Sequence, residues 1–68
     1  MTVYKIINIV GESNESFSDA VQKAVDKASE TVKKIKYAEI ERFTAKIDDD
    51  NVLSYRAEVK LSFEVESK

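Results

Sequence analysis

The sequence predicts an α+β fold: a β-α-β-β chain whose three strands form an antiparallel sheet in the order 1-3-2, curled around one amphipathic helix. Three observations predict it. Apolar residues recur at helical spacing from Ser16 to Ile35, apolar and polar residues alternate from Ser54 to Glu66, and β-branched residues crowd Val3 to Val10. The chain contains no repeat, linker or low-complexity segment, so residues 1–68 read as a single domain.

The first strand carries hydrophobes on both alternating sets, Val3, Ile7 and Ile9 on one and Tyr4, Ile6 and Val10 on the other. A strand of this kind expects cover on both faces, and one helix supplies only one. The second face should therefore meet another subunit or a ligand. Gly11, the only glycine, reads with Glu12, Ser13 and Asn14 as the turn into the helix.

The helix is expected over about five turns. Phe17, Ala20, Val21, Ala24, Val25, Ala28, Val32 and Ile35 fall on one stripe, with charged residues elsewhere. Ser16 with Asp19 three residues on is an acidic relative of the capping box, and Lys33, Lys34 and Lys36 suit the negative end of the helix dipole.

Tyr37 to Asp48 reads as a second strand whose alternation slips: Ala38 and Ile40 share one parity, Phe43, Ala45 and Ile47 the other. The favoured reading is a strand that leaves its own helix and continues into a neighbour's territory. The alternative is a bulge near Arg42. Asp48, Asp49, Asp50 and Asn51 form a polar hairpin turn. Their carboxylates invite a calcium reading, but the turn has no glycine at its bend and no closing bidentate glutamate, so solvated turn residues are the simpler account. In the third strand, Tyr55, Ala57, Val59, Leu61, Phe63 and Val65 face the helix, and Arg56, Glu58, Lys60, Ser62 and Glu64 form a polar outer row. The helix reverses the chain, so the first two strands run the same way and the hairpin makes the third antiparallel to both. Placing the third between them gives the order 1-3-2 with a right-handed crossover.

Composition narrows the function. The chain lacks cysteine and histidine, which removes thiol nucleophiles, disulfides, thiolate zinc sites and the side chain that titrates nearest neutrality. An enzyme is not expected. A net charge of -2 with interspersed signs argues against nucleic acid, and no apolar run is long enough to span a membrane, so a cytoplasmic protein is expected. A core this small makes self-association the available source of further buried area.

The polar outer row reads either as a solvated face or as the lining of a space between subunits. Tyr37, at the junction of helix and second strand, reads as a packing residue or as a platform for a planar ligand, with Arg56 donating hydrogen bonds to its oxygens. Tyr4 and Tyr55 have strand parity and read as structural. Glu39, Glu41 and Glu58 could form a carboxylate set at an interface.

The opening Val-Tyr-Lys-Ile-Ile-Asn-Ile-Val-Gly-Glu-Ser, the Ser-Phe helix start, the Ile35 to Tyr37 junction and the closing Ser-Tyr-Arg-Ala-Glu-Val-Lys-Leu-Ser-Phe resemble the dodecins over nearly the whole chain. The resemblance implies a hollow homododecamer with a non-catalytic storage role, many members binding flavins in pairs between subunits. It places the flavin, riboflavin or FMN, at Tyr37 and Arg56. Flavin-binding members carry tryptophan and glutamine there, and many bacterial members carry arginine in place of Thr44. Tyrosine stacks with a smaller surface, and arginine donates without accepting. The Tyr-Arg pair and the charged closing strand look more like the subgroup described as calcium-binding, which makes calcium the competing ligand, with a purely structural shell that holds no ligand as the third reading. The metal ligands are unassigned, with Glu39, Glu41, Glu58 and the aspartate turn as oxygen candidates.

Overall fold

The alternating residues of the third strand build the middle of the sheet. In the computed structural model, which describes residues 2–65, β3 (Asn51–Val65) lies between β1 (Val3–Ser13) and β2 (Ile35–Asp48), antiparallel to both. The expected order 1-3-2 is the observed one; the expected end of the third strand at Glu66 lies outside the described residues. The β1–β3 register is unbroken from Val3 opposite Val65 to Ser13 opposite Tyr55. It sets Ile7, Ile9 and Gly11 beside Leu61, Val59 and Ala57.

Onto that face packs α1 (Phe17–Ala28). Ala20, Ala24 and Ala28, one turn apart, are buried with Ala57, Val59 and Leu61, and Ile7, Ile9, Val21, Val25 and Ile35 close around them. The small side chains let the helix sit close to the strands. Gly11 belongs to this contact and not to a turn, because β1 runs on to Ser13. A Cβ at Gly11 would collide with the carbonyl oxygen of Ala20 and stand 3.0 Å from Cβ of Ala24. Close approach of backbone to backbone is what demands glycine here.

The helix is shorter than expected, ending at Ala28. The Val25 carbonyl accepts from both the backbone N–H and the hydroxyl of Ser29, and Glu30 and Thr31 tighten to bonds with Lys27 and Ala28. Lys34, with φ 63, turns the chain into β2, and its carbonyl accepts from the Glu64 N–H. Ile35 kept helical spacing in the sequence because β2 delivers it to the core that the helix covers, while the Val32 N–H bonds back to the Ala28 carbonyl at 2.8 Å. The basic residue in the last helical turn is Lys27, not Lys33, Lys34 or Lys36.

At the other end, Ser16 is the N-cap as expected, its hydroxyl accepting from the Asp19 N–H at 3.0 Å. The reciprocal half of the capping box is relayed through buried Ser13. Its hydroxyl donates to Asp19 Oδ2 at 2.6 Å and accepts from the N–H of Glu15 at 2.9 Å and of Ser16 at 3.5 Å. The Ser13 bond holds the Asp19 carboxyl below its ordinary value; partial desolvation opposes it, and Lys23, 3.4 Å away, reinforces it. A lowered folded value stabilises the fold above the unfolded value and loses that contribution as pH falls through the folded one. Urea midpoints of the parent chain are therefore expected to decline below about pH 4 more steeply than those of Asp19→Asn. Equal slopes in the two chains would refute the linkage.

The slip in the second strand is a bulge. Ile40 lies opposite Val59 and Arg42 opposite Glu58, leaving Glu41 extra, so Ala38, Ile40, Phe43 and Ala45 all fall on the helix side of the sheet. Further irregularities fall between Ile35 and Tyr37 and between Lys46 and Ile47. The strand does outrun its helix: only Ile35 and Ala45 of β2 are half-buried, and Ile47, Val52 and Leu53 stand exposed at the hairpin tip. Asp49 and Asp50, with φ 54 and 66, form a two-residue turn of the I′ kind, and the Asn51 amide donates to the Asp49 carbonyl at 3.1 Å. The aspartates are accounted for by that left-handed backbone. Through this hairpin the chain extends 55 × 20 × 13 Å with a radius of gyration of 14.0 Å, against about 11 Å for a compact chain of this length.

Candidate functional site

The sheet face away from α1 carries the residues expected to form a site. Down its middle run Arg56, Glu58, Lys60, Ser62 and Glu64, flanked by Tyr4, Ile6 and Val10 of β1 and by Tyr37, Glu39 and Thr44 of β2. The apolar members are exposed, Ile6 by 59% and Val10 by 49%, so this face combines uncovered hydrophobes with charge.

Tyr37 lies opposite Ser62 and is 63% exposed within the single chain. Its ring meets that of Tyr4, which lies opposite Glu64 on the far side of β3, with centroids 5.8 Å apart and planes at 67°. Tyr4 is thus part of an aromatic pair on the outer face, a role its strand parity did not reveal. Partial desolvation, then the charge and hydrogen bond of Tyr37 and the charge of Glu64, raise its phenol above the ordinary value. Tyr55 does pack, edge-on against Phe17 at 4.9 Å, and Phe17 also meets Phe43 at 4.6 Å.

Arg56 shares the face of Tyr37 but not its neighbourhood. It is exposed, opposite Glu12 and Thr44, and six positions along β3 from Ser62. At about 3.3 Å per residue that is roughly 20 Å. The structure does not bring the two expected ligand residues together within one chain.

Of the candidate carboxylates, Glu41 and Glu58 come together and the others do not. Glu39 lies opposite Lys60, Glu41 on the bulge pairs with the Lys60 ammonium at 3.8 Å, and Glu58 lies between Val10 and Arg42. Asn8, Val10, Glu41 and Glu58 border a pocket of about 220 Å³. The aspartate turn is at the hairpin tip, far from this set. Among the described residues, no three acidic side chains converge as a metal site would require.

A larger groove of about 430 Å³, which the sequence did not signal, opens where the hairpin passes the start of α1. Glu12, Lys23, Lys46 and Leu53 line it, and the Ser54 hydroxyl donates to Glu12 at 3.4 Å. Its residues are far apart in sequence and meet only through the three-strand register. Among the described residues, no helix is long and apolar enough to cross a membrane.

Comparison with known proteins agrees with this architecture. The family model described as Dodecin matches residues 3–66. The calcium dodecin of Mycobacterium tuberculosis is 32% identical over 65 residues, covering 96% of this chain and 92% of that protein. The structure of a dodecin from Streptomyces coelicolor superposes with a TM-score of 0.90 at 30% identity, covering 98% of this chain and 96% of the other. A Thermus thermophilus protein superposes with a TM-score of 0.93 at 26% identity over 100% of both chains.

Proposed function

The chain belongs to the dodecin family, and from that premise we propose that it is a non-catalytic, cytoplasmic, homo-oligomeric shell protein of twelve subunits that binds or stores a small planar ligand, a flavin such as riboflavin or FMN. The observation that carries the reading is Tyr37, held out on the outer sheet face by 63% exposure and an aromatic neighbour. A planar heterocycle stacks on such a ring. Since Arg56 of the same chain is roughly 20 Å away, one flavin takes its stacking residue from one subunit and its Arg56 guanidinium from another. The uncovered Ile6 and Val10 on the same face support that subunit contact.

The test is a riboflavin titration of the assembled protein, following loss of flavin emission, with native mass spectrometry of the same sample. Quenching that saturates near one flavin per subunit is expected. A monomer at micromolar concentration, or an assembly that leaves emission unchanged, would remove the reading.

Calcium is the second reading, favoured by the 32% identity to a protein named calcium dodecin. Since no three acidic side chains converge among the described residues of one chain, such a site adds carboxylates from another subunit to the Glu41 and Glu58 that border one pocket. Calorimetric titration with calcium separates the two: a metal site survives Tyr37→Ala and is lost on replacing Glu41 and Glu58 by glutamine.

A further inference from the structure

Tyr4 and Tyr37 belong to the two outer strands and are separated by the whole width of β3. Adjacent strands lie about 4.8 Å apart, so the two backbones are about 10 Å from each other. Their rings nevertheless meet at 5.8 Å between centroids. They do so by leaning inward over β3, where Tyr37 lies opposite Ser62 and Tyr4 opposite Glu64. The short serine beside Tyr37 leaves room there for the rings to meet, and Glu64, opposite Tyr4, borders the pair on its other side.

The meeting has a consequence for Tyr37. Within its own chain, an aromatic side chain that is 63% exposed has few neighbours to fix its two side-chain torsions. Tyr4 is the ring that meets it among the described residues, at the 67° edge-on angle that aromatic quadrupoles favour. We propose that Tyr4 is a positioning residue: it fixes the plane of the Tyr37 ring, with Ser62 as the gap that lets it reach, so that the exposed platform is presented in one orientation to a planar ligand. The proposal deepens the flavin reading and rests on it for the ligand, but the pairing of the two rings stands independently.

The experiment compares Tyr4→Leu, Tyr4→Phe and Ser62→Leu with the parent chain by two measurements. Near-ultraviolet circular dichroism reads the coupled tyrosines directly and needs no ligand. Riboflavin quenching reads the platform. Tyr4→Leu and Ser62→Leu are expected to lose the coupled tyrosine signal and weaken riboflavin about 3- to 10-fold, with native mass spectra unchanged. Tyr4→Phe keeps the edge-on ring and is expected to hold affinity within about 3-fold. Spectrophotometric titration adds a check, since the raised phenol of Tyr4 should fall towards its ordinary value in Tyr37→Phe. A parent chain that binds no riboflavin yet loses its tyrosine signal in Tyr4→Leu would sink the flavin reading and leave the positioning role supported. A tyrosine signal that Tyr4→Leu alters no more than Tyr4→Phe, with riboflavin affinity unchanged in both, would overturn the positioning role.

Discussion

Gly11→Ala is expected to destabilise the fold by about 3 kcal/mol, at the upper end of overpacking effects. That corresponds to a fall in melting temperature of roughly 15 °C in a domain of this size. The added Cβ meets a backbone atom, the carbonyl oxygen of Ala20, and a backbone oxygen in a helix cannot swing aside as a side chain does. Relief requires α1 to lift from the sheet, and lifting it uncovers Ala20, Ala24, Ala57 and Val59 together. The collision gives the test a control. Ala20→Gly in the same chain removes a methyl group but not the carbonyl, so the double variant should recover no stability. Thermal and urea unfolding of the single and double variants decide the matter. A Gly11→Ala chain as stable as the parent would show that the helix does not sit where the structure puts it.

The second large effect concerns Tyr37 and Arg56. Tyr37→Ala should weaken riboflavin at least about tenfold, the scale of a lost stacking contact between a planar heterocycle and an aromatic side chain. Arg56→Ala should weaken it through lost donors while leaving the stack. The separation of the two residues within a chain makes a sharper prediction for mixtures. If one ligand touches Tyr37 of one subunit and Arg56 of another, shells refolded from equal amounts of the two variants contain about a quarter of sites with both residues intact. Binding at parent affinity should then return at about that fraction. If both residues served a ligand from the same subunit, no site in the mixture would be complete and no tight binding would return. Fluorescence quenching of the mixed shells, against each variant refolded alone, distinguishes the two.

Much of the architecture was legible before the structure. The alternation of Tyr55 through Val65 identified the strand with one buried and one polar face, and chain direction placed it in the middle. Where reading failed, a local pattern had two physical sources. Ile35 lies at helical spacing from Ala28 because it reaches the same core from a strand, and half-buried Val32 still bonds back to the Ala28 carbonyl, so periodicity overran the true end of α1. Gly11 looked like a turn because a lone glycine usually serves backbone freedom, whereas here it makes room for a helix. The slip between Ile40 and Phe43 admitted both a bulge and a change of face, and only the pairing with Val59 and Glu58 chooses between them.

The site was less legible than the fold. Tyr37 was identifiable as an aromatic at a junction, but its neighbour Tyr4 is more than thirty positions away in sequence and on a strand it does not touch. The distance between Tyr37 and Arg56 depends on the register of β2 against β3, which bulges shift unpredictably from residue patterns alone. Glu41 and Glu58 line one pocket although far apart in sequence, whereas Glu39, two positions from Glu41, does not line it.

The order 1-3-2 also imposes a schedule. The strand that pairs with both others is the last of the three in the sequence, and Val3 finds its partner only at Val65. While the chain is being synthesised, β1 and α1 emerge with no sheet to join, and the loop that closes them spans nearly the whole described length. Pairings so distant in sequence slow folding, since the entropy of closing the loop precedes the contacts that compensate it. The β2–β3 hairpin, whose partners are local, is the piece able to form first, and β1 with its helix then docks against an edge already in place.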